Sequence, residues 1–235
     1  MKKMTISQHF AELRRRILWV AAVFGVLFLT GMVVAPSIQQ WLTWPLMNIW
    51  PDGTLLYTGL TDGLMINFSL AGLFALLITL PFGLWQVWAF VEPGLKKKER
   101  GFIWPILILS PVLFLLGAGF AFFVLFPVVF KFFVELNQVA PVPSVLMPAV
   151  RDYLGFAIGM LKVFGIAFQL PLALVLLNRI GVLKKTQMMT WRRYAIILIV
   201  VAAAILTPPD VVSQLMLAIP LWLLFEISIL CMRQE

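Results

Sequence analysis

One cysteine and one histidine are all that this 235-residue chain has of the two residues most used for disulfides and metal sites. Cys231 alone excludes an intrachain disulfide framework, and His9 alone leaves no zinc or haem spacing. Charge is scarce as well: only 12% of residues are Asp, Glu, Lys or Arg, and only ten of those are acids. No Ser/Lys, Ser/His, paired-aspartate or HExxH arrangement occurs at helical spacing within the apolar runs, so neither an enzyme nor a cofactor is expected. What the chain has instead is apolar surface. With 62% hydrophobic residues and a mean hydropathy of +1.01, it carries more than a soluble domain of this length could cover. An integral membrane protein follows. The net charge of +8 does not point to nucleic acid, because the cations sit in short clusters between apolar runs, where they face anionic headgroups.

A helix needs roughly 20 apolar residues to cross ~30 Å of hydrocarbon. Runs of this kind predict an all-α polytopic protein with six spans, at 17–36, 64–91, 102–133, 153–177, 194–206 and 211–230. The first run follows Arg14, Arg15 and Arg16 but is too long for a secretory h-region and is read as an uncleaved first helix. The fifth and sixth are short, and a re-entrant hairpin is the alternative to two crossings. Lys2, Lys3 and Arg14 to Arg16 precede the first span. Lys96 to Lys98 with Arg100, and Arg179 to Arg193, fill two further gaps, while the intervening loops are nearly bare of cations. The positive-inside rule then makes both termini cytoplasmic.

Residues 1–16 read as a cytoplasmic amphipathic helix, with Thr5 as its cap and Phe10, Leu13 and Ile17 on one face. In the segment SIQQWLTWPLMNIW, Trp41, Trp44 and Trp50 suit headgroup level. Prolines 81, 105, 111, 127, 171 and 220 lie in or near the spans, where they bend helices. The whole reads as a single transmembrane domain over 1–235 with a concave surface. No internal repeat is visible, which counts against many secondary transporters.

A few polar residues need a reason. Glu12 lies four residues before Arg16, and a surface pair worth a few tenths of a kcal/mol would explain it. Glu99 sits inside LKKKERGF and could pair locally in the same way. Together, and apart from Glu92, they are the carboxylates beside the first two basic clusters, and two fixed anions on one face could accept hydrogen bonds from a partner's guanidinium groups. In the fourth span Gly155, Gly159, Lys162, Ile166 and Gln169 share one helical face, expected to look inward. Lys162, Gln169 and Glu226 are intramembrane polar candidates.

The segments HFAELRRRI, QVWAFVEPGLKKKERGF, GAGFAFFVLFPVVFKFF, FGIAFQLPLALVLL and LTPPDVVSQLMLAIPLWLLFEI together resemble the TatC family, the core subunit of the twin-arginine translocase. The resemblance covers nearly the whole chain in order. It implies a six-span, glove-shaped protein of the cell inner membrane that receives twin-arginine signal peptides of folded proteins. It also implies TatA- and TatB-type single-span partners and energy from the proton-motive force. Membrane lipid, and a second copy of the chain as an open alternative, complete the expected partners. By motif position, Glu12, Arg14, Phe90 and Glu99 are the implied signal-peptide residues. Asp210, Gln214 and Glu226 match the family pattern, whereas Lys162 matches no motif residue. Gln169 is a departure, since many relatives carry glutamate there, so a titrating role at that position does not carry over. The rival reading is a small-solute or proton-coupled transporter with Lys162, Gln169 and Glu226 along its path.

Overall fold

The computed structural model describes residues 6–91, 103–138, 147–179, 181–206 and 211–233. Their architecture is all-α. The helices are α1 (Ile6–Ile49), α2 (Asp62–Val91), α3 (Ile103–Phe120), α4 (Phe126–Gln138), α5 (Val150–Ala167), α6 (Leu170–Arg179), α7 (Lys185–Thr190), α8 (Arg192–Leu206) and α9 (Val211–Cys231). Among the described residues five stretches are long and apolar enough to cross a membrane: His9–Ile49, Asp62–Val87, Ile108–Leu136, Val150–Arg179 and Gln214–Cys231. Helix α8, where the fifth expected span falls, has 15 residues. It rises about 22 Å, short of a ~30 Å hydrocarbon core.

Helix α1 does not pause between the expected amphipathic segment and the first span; it runs unbroken from Ile6 to Ile49. Its first half contains no proline and no glycine before Gly25, and Leu13, Arg14, Arg15 and Arg16 are good helix formers. The helix also takes in most of the tryptophan segment. Trp44 is exposed, but Trp41 stacks on Phe122 at 3.9 Å, so that ring has a partner within the protein.

Two prolines leave distinct marks. Between α3 and α4, Ala121–Leu125 forms a π-helical turn closed by the Phe126 N–H on the Ala121 carbonyl. Pro127 follows. It has no N–H for the carbonyl four residues back and its ring crowds that carbonyl, which a widened turn relieves. Between α5 and α6 the Gln169 N–H donates to Ile166 O at 2.9 Å, a tightened turn, and Pro171 sits in the first turn of α6, where its missing N–H costs nothing.

The helical contacts group into two compact units. The first is Met1–Ile38 with Asn67–Val112. In it α1 and α2 approach closely at Gly31, where an added Cβ would lie 2.9 Å from both Cα and O of Ala71. Ala35, Leu70, Ala71, Leu73 and Ala75 are buried around that crossing, and Phe28 stacks between Phe24 and Phe68.

The second unit is Gln39–Ile66 with Leu113–Glu235. Its core is aromatic: Phe114, Phe122, Phe126, Phe130 and Phe164 are all buried. Helices α3 and α5 touch at Gly117, where a Cβ would stand 2.3 Å from the Phe164 carbonyl oxygen. The segment before α2 is tied to the start of α5 by paired backbone bonds, Leu56 N to Pro148 O and Val150 N to Leu56 O. Tyr153 donates to Leu42 O at 2.7 Å. Asp62, buried at the head of α2, accepts from Thr58 Oγ1 and from the Thr58 and Gly59 N–H groups, with Arg151 3.6 Å away. Helix α9 packs against α6 and α8.

Candidate functional site

The first unit holds the densest cluster of expected residues. Glu12 and Arg16 stand one turn apart on α1, and both are largely buried, with side-chain exposures of 15% and 19%. Arg16 Nε donates to Glu12 Oε1 at 3.1 Å, and Nη2 donates to the same oxygen. The other oxygen, Glu12 Oε2, is buried without a hydrogen-bond partner. Arg16 reaches further than the surface pair anticipated from spacing. Its Nη1 donates to Gln86 Oε1 at 3.0 Å and to the Gln86 carbonyl at 3.5 Å, and its Nη2 donates to the Ala89 carbonyl at 3.2 Å. One residue on from Ala89, the Phe90 ring stacks on His9 at 4.1 Å. Arg14 and Arg15 are exposed beside this cluster. Glu99 lies outside the described residues.

A groove of about 640 Å³ opens next to these groups, lined by Leu13, Ile17, Val20 and Phe24 of α1 and by Leu76, Leu80, Leu84 and Val87 of α2, among others. Arg16, Gln86 and Phe90 also line it. From Leu13 to Phe24 the helix rises about 16 Å, room for about 11 residues of a helix alongside. Beyond Arg16 and Gln86 the wall has one more polar residue. Thr79, 4% exposed, lines the groove and its hydroxyl is buried without a partner.

The intramembrane candidates fall in the second unit. Glu226 is taken by Arg192, whose Nη2 donates to its carboxylate at 2.8 Å. Gln214 Nε2 donates to Val200 O at 3.1 Å and so joins α9 to α8. Lys162 is half-buried and makes no ion pair among the described residues. Gln169 sits at the α5–α6 junction, its carbonyl accepting from Ala173 N at 2.9 Å. The stripe that carries Lys162 is not packed inward as its spacing suggested. A Cβ at Gly155 or Gly159 would meet nothing within 4 Å, and Ile166 is 58% exposed. Spacing puts residues on one face but does not supply a neighbour for it. Asp210 lies outside the described residues.

Sequence reasoning missed Gln86 and Thr79. Gln86 had a signal: it is the lone amide in the apolar run LPFGLWQVWAF. Thr79 had none, since a threonine in a span ordinarily bonds a carbonyl of its own helix.

Residues 8–220 match the family described as Sec-independent protein translocase protein (TatC). The TatC protein of Halothiobacillus neapolitanus is 39% identical over 226 residues, 96% of this chain and 61% of that protein. The TatC protein of Escherichia coli is 35% identical over 226 residues, 96% of this chain and 86% of that one. A crystal structure of a twin arginine translocase receptor, TatC, superposes with a TM-score of 0.86 at 33% identity, covering 95% of this chain and 97% of its own. Sequence and fold agree along almost the whole length, and the chain belongs to the TatC family of Sec-independent protein translocase proteins.

Proposed function

We propose that this chain is the core receptor subunit of a twin-arginine translocase, and that the first unit is where it reads the signal peptide of a folded cargo. Glu12 accepts a signal arginine, Phe90 packs beside it, and Glu99 supplies the second acid. Arg14 completes the recognition face. The apolar segment that follows the arginines lies in the groove between α1 and α2. Six crossings, with α8 the short one and α9, expected short as well, long enough at 21 residues to span, put both termini and the basic clusters in the cytoplasm. Single-span TatA- and TatB-type subunits assemble with the chain in the inner membrane, and the proton-motive force drives transport.

The observation that carries this reading is a continuous one: a carboxylate with one unpartnered oxygen stands beside an apolar groove, on the same two helices. Magnitudes require both parts. A hydrogen bond to a charged group contributes about 1.5–3 kcal/mol, whereas micromolar affinity needs roughly 8 kcal/mol. Burying a leucine-sized side chain contributes about 1.5–3 kcal/mol, so two or three of them in the groove close the gap.

The test is peptide affinity for the full chain in nanodiscs at fixed salt. Glu12→Gln should bind a twin-arginine peptide more weakly than wild type, and Glu12→Lys more weakly still, because lysine opposes cation with cation. A peptide with both arginines replaced by glutamine should lose little more on the variants. If Glu12→Lys binds the twin-arginine peptide as tightly as wild type does, the reading is wrong.

A further inference from the structure

The geometry points to Arg16 as a positioning residue that makes the acid selective for arginine, an inference that rests on the reading of Glu12 just given. An Arg–carboxylate pair ordinarily engages both oxygens through two parallel bonds. Here Nε and Nη2 converge on Oε1 alone, and Oε2 is left buried with no donor. The remaining capacity of the guanidinium goes to α2, onto Gln86 Oε1 and the Gln86 and Ala89 carbonyls. These bonds account for all five N–H groups that an arginine has. One side chain therefore holds the carboxylate in a half-satisfied state and fixes the last turns of the helix that carries Phe90.

Two consequences follow for a bound peptide. A carboxylate has about four lone-pair sites, so Oε2 can take a second guanidinium without displacing Arg16. The oxygen is shielded in this state, and a side-chain shift must uncover it. The pair of Glu12 with Arg16 also carries no net charge. A second cation gains little from simple attraction to a neutral pair and gains mainly from directed hydrogen bonds. That favours the planar fork of arginine over the point charge of lysine. Without Arg16 the acid becomes a bare anion, which attracts either cation.

Discrimination is the readout. Affinities of a twin-arginine and a twin-lysine peptide are measured on wild type, Arg16→Gln, Arg16→Lys and Glu12→Gln, each as the full chain in nanodiscs. Arg16→Gln should shift binding in favour of the twin-lysine peptide, so that the ratio of twin-arginine to twin-lysine affinity falls by about tenfold, a difference the size of one charge-assisted hydrogen bond. Arg16→Lys keeps the charge pairing and should hold the ratio between wild type and Arg16→Gln; it is the variant to read if Arg16→Gln fails to accumulate. An equal loss for both peptides, with the ratio unchanged, would mean that Arg16 only holds the helices together and would overturn the proposal. Glu12→Gln separates the two levels: if it binds the twin-arginine peptide as wild type does, the role of Glu12 itself falls, whereas a weakened Glu12→Gln beside an unaltered ratio in Arg16→Gln removes only the positioning role.

Discussion

Gly83 offers a direct way to close the groove without touching the acid. It lies in the groove wall on α2, and a Cβ added there meets only Val20 Cγ1, at 3.8 Å, an ordinary contact. Gly83→Ala should therefore fold at least as well as wild type, since alanine in a helix interior gains about 0.5–1 kcal/mol over glycine. Gly83→Phe has the same permitted Cβ but sends a ring into the space the signal's apolar segment is proposed to occupy. Displacing one leucine-sized side chain removes about 1.5–3 kcal/mol, a loss of about 10- to 150-fold in affinity. The assay is the dissociation constant of a twin-arginine peptide for each variant in nanodiscs, with thermal unfolding to show that the protein remains folded. A peptide whose apolar segment is replaced by serine and alanine should respond far less, because the interaction that the ring blocks is already absent. If folded Gly83→Phe binds the unmodified peptide as tightly as wild type, the groove is filled by lipid rather than by the signal, and the apolar half of the mechanism is refuted.

The close helix crossing in the second unit should tolerate no side chain at all: Gly117→Ala forces a methyl to 2.3 Å from the Phe164 carbonyl oxygen and should lower stability by about 1–3 kcal/mol or more in thermal unfolding. Gly155→Ala, which meets open space, should be neutral or stabilising by up to about 1 kcal/mol, so equal effects at the two sites would contradict the crossing. At the α5–α6 junction, Gln169→Leu should impair transport of a twin-arginine cargo more than Gln169→Glu, because leucine offers no hydrogen bond to its neighbours. Equal transport by wild type and both variants would remove Gln169 from the site.

The helices that the sequence makes legible are those whose ends are written in hydropathy. The run 64–91 becomes Asp62–Val91, and 211–230 becomes Val211–Cys231. Hydropathy and charge describe where a helix meets a bilayer, whereas backbone hydrogen bonding decides whether it ends. The two questions part company in α1, which passes the arginines at 14–16 and continues to Ile49. Prolines announce a disturbance but not its form: Pro127 accompanies a π-helical turn and Pro171 a break between helices. The same limit governs the site. Motif position nominates Glu12 and Phe90 for the proposed site, and spacing anticipates the Glu12–Arg16 pair that the structure contains, but a four-residue interval says nothing of what else the arginine touches. On an isolated helix that pair contributes a few tenths of a kcal/mol. Gln86 and Ala89 are 70 and 73 residues away in the chain, and only the crossing of α1 with α2 brings their oxygens to the guanidinium. Once it does, removing Arg16 no longer exposes a surface acid to water. It leaves a largely buried carboxylate without its counter-ion and takes a ligand from the end of a helix, and the two losses are coupled through one side chain.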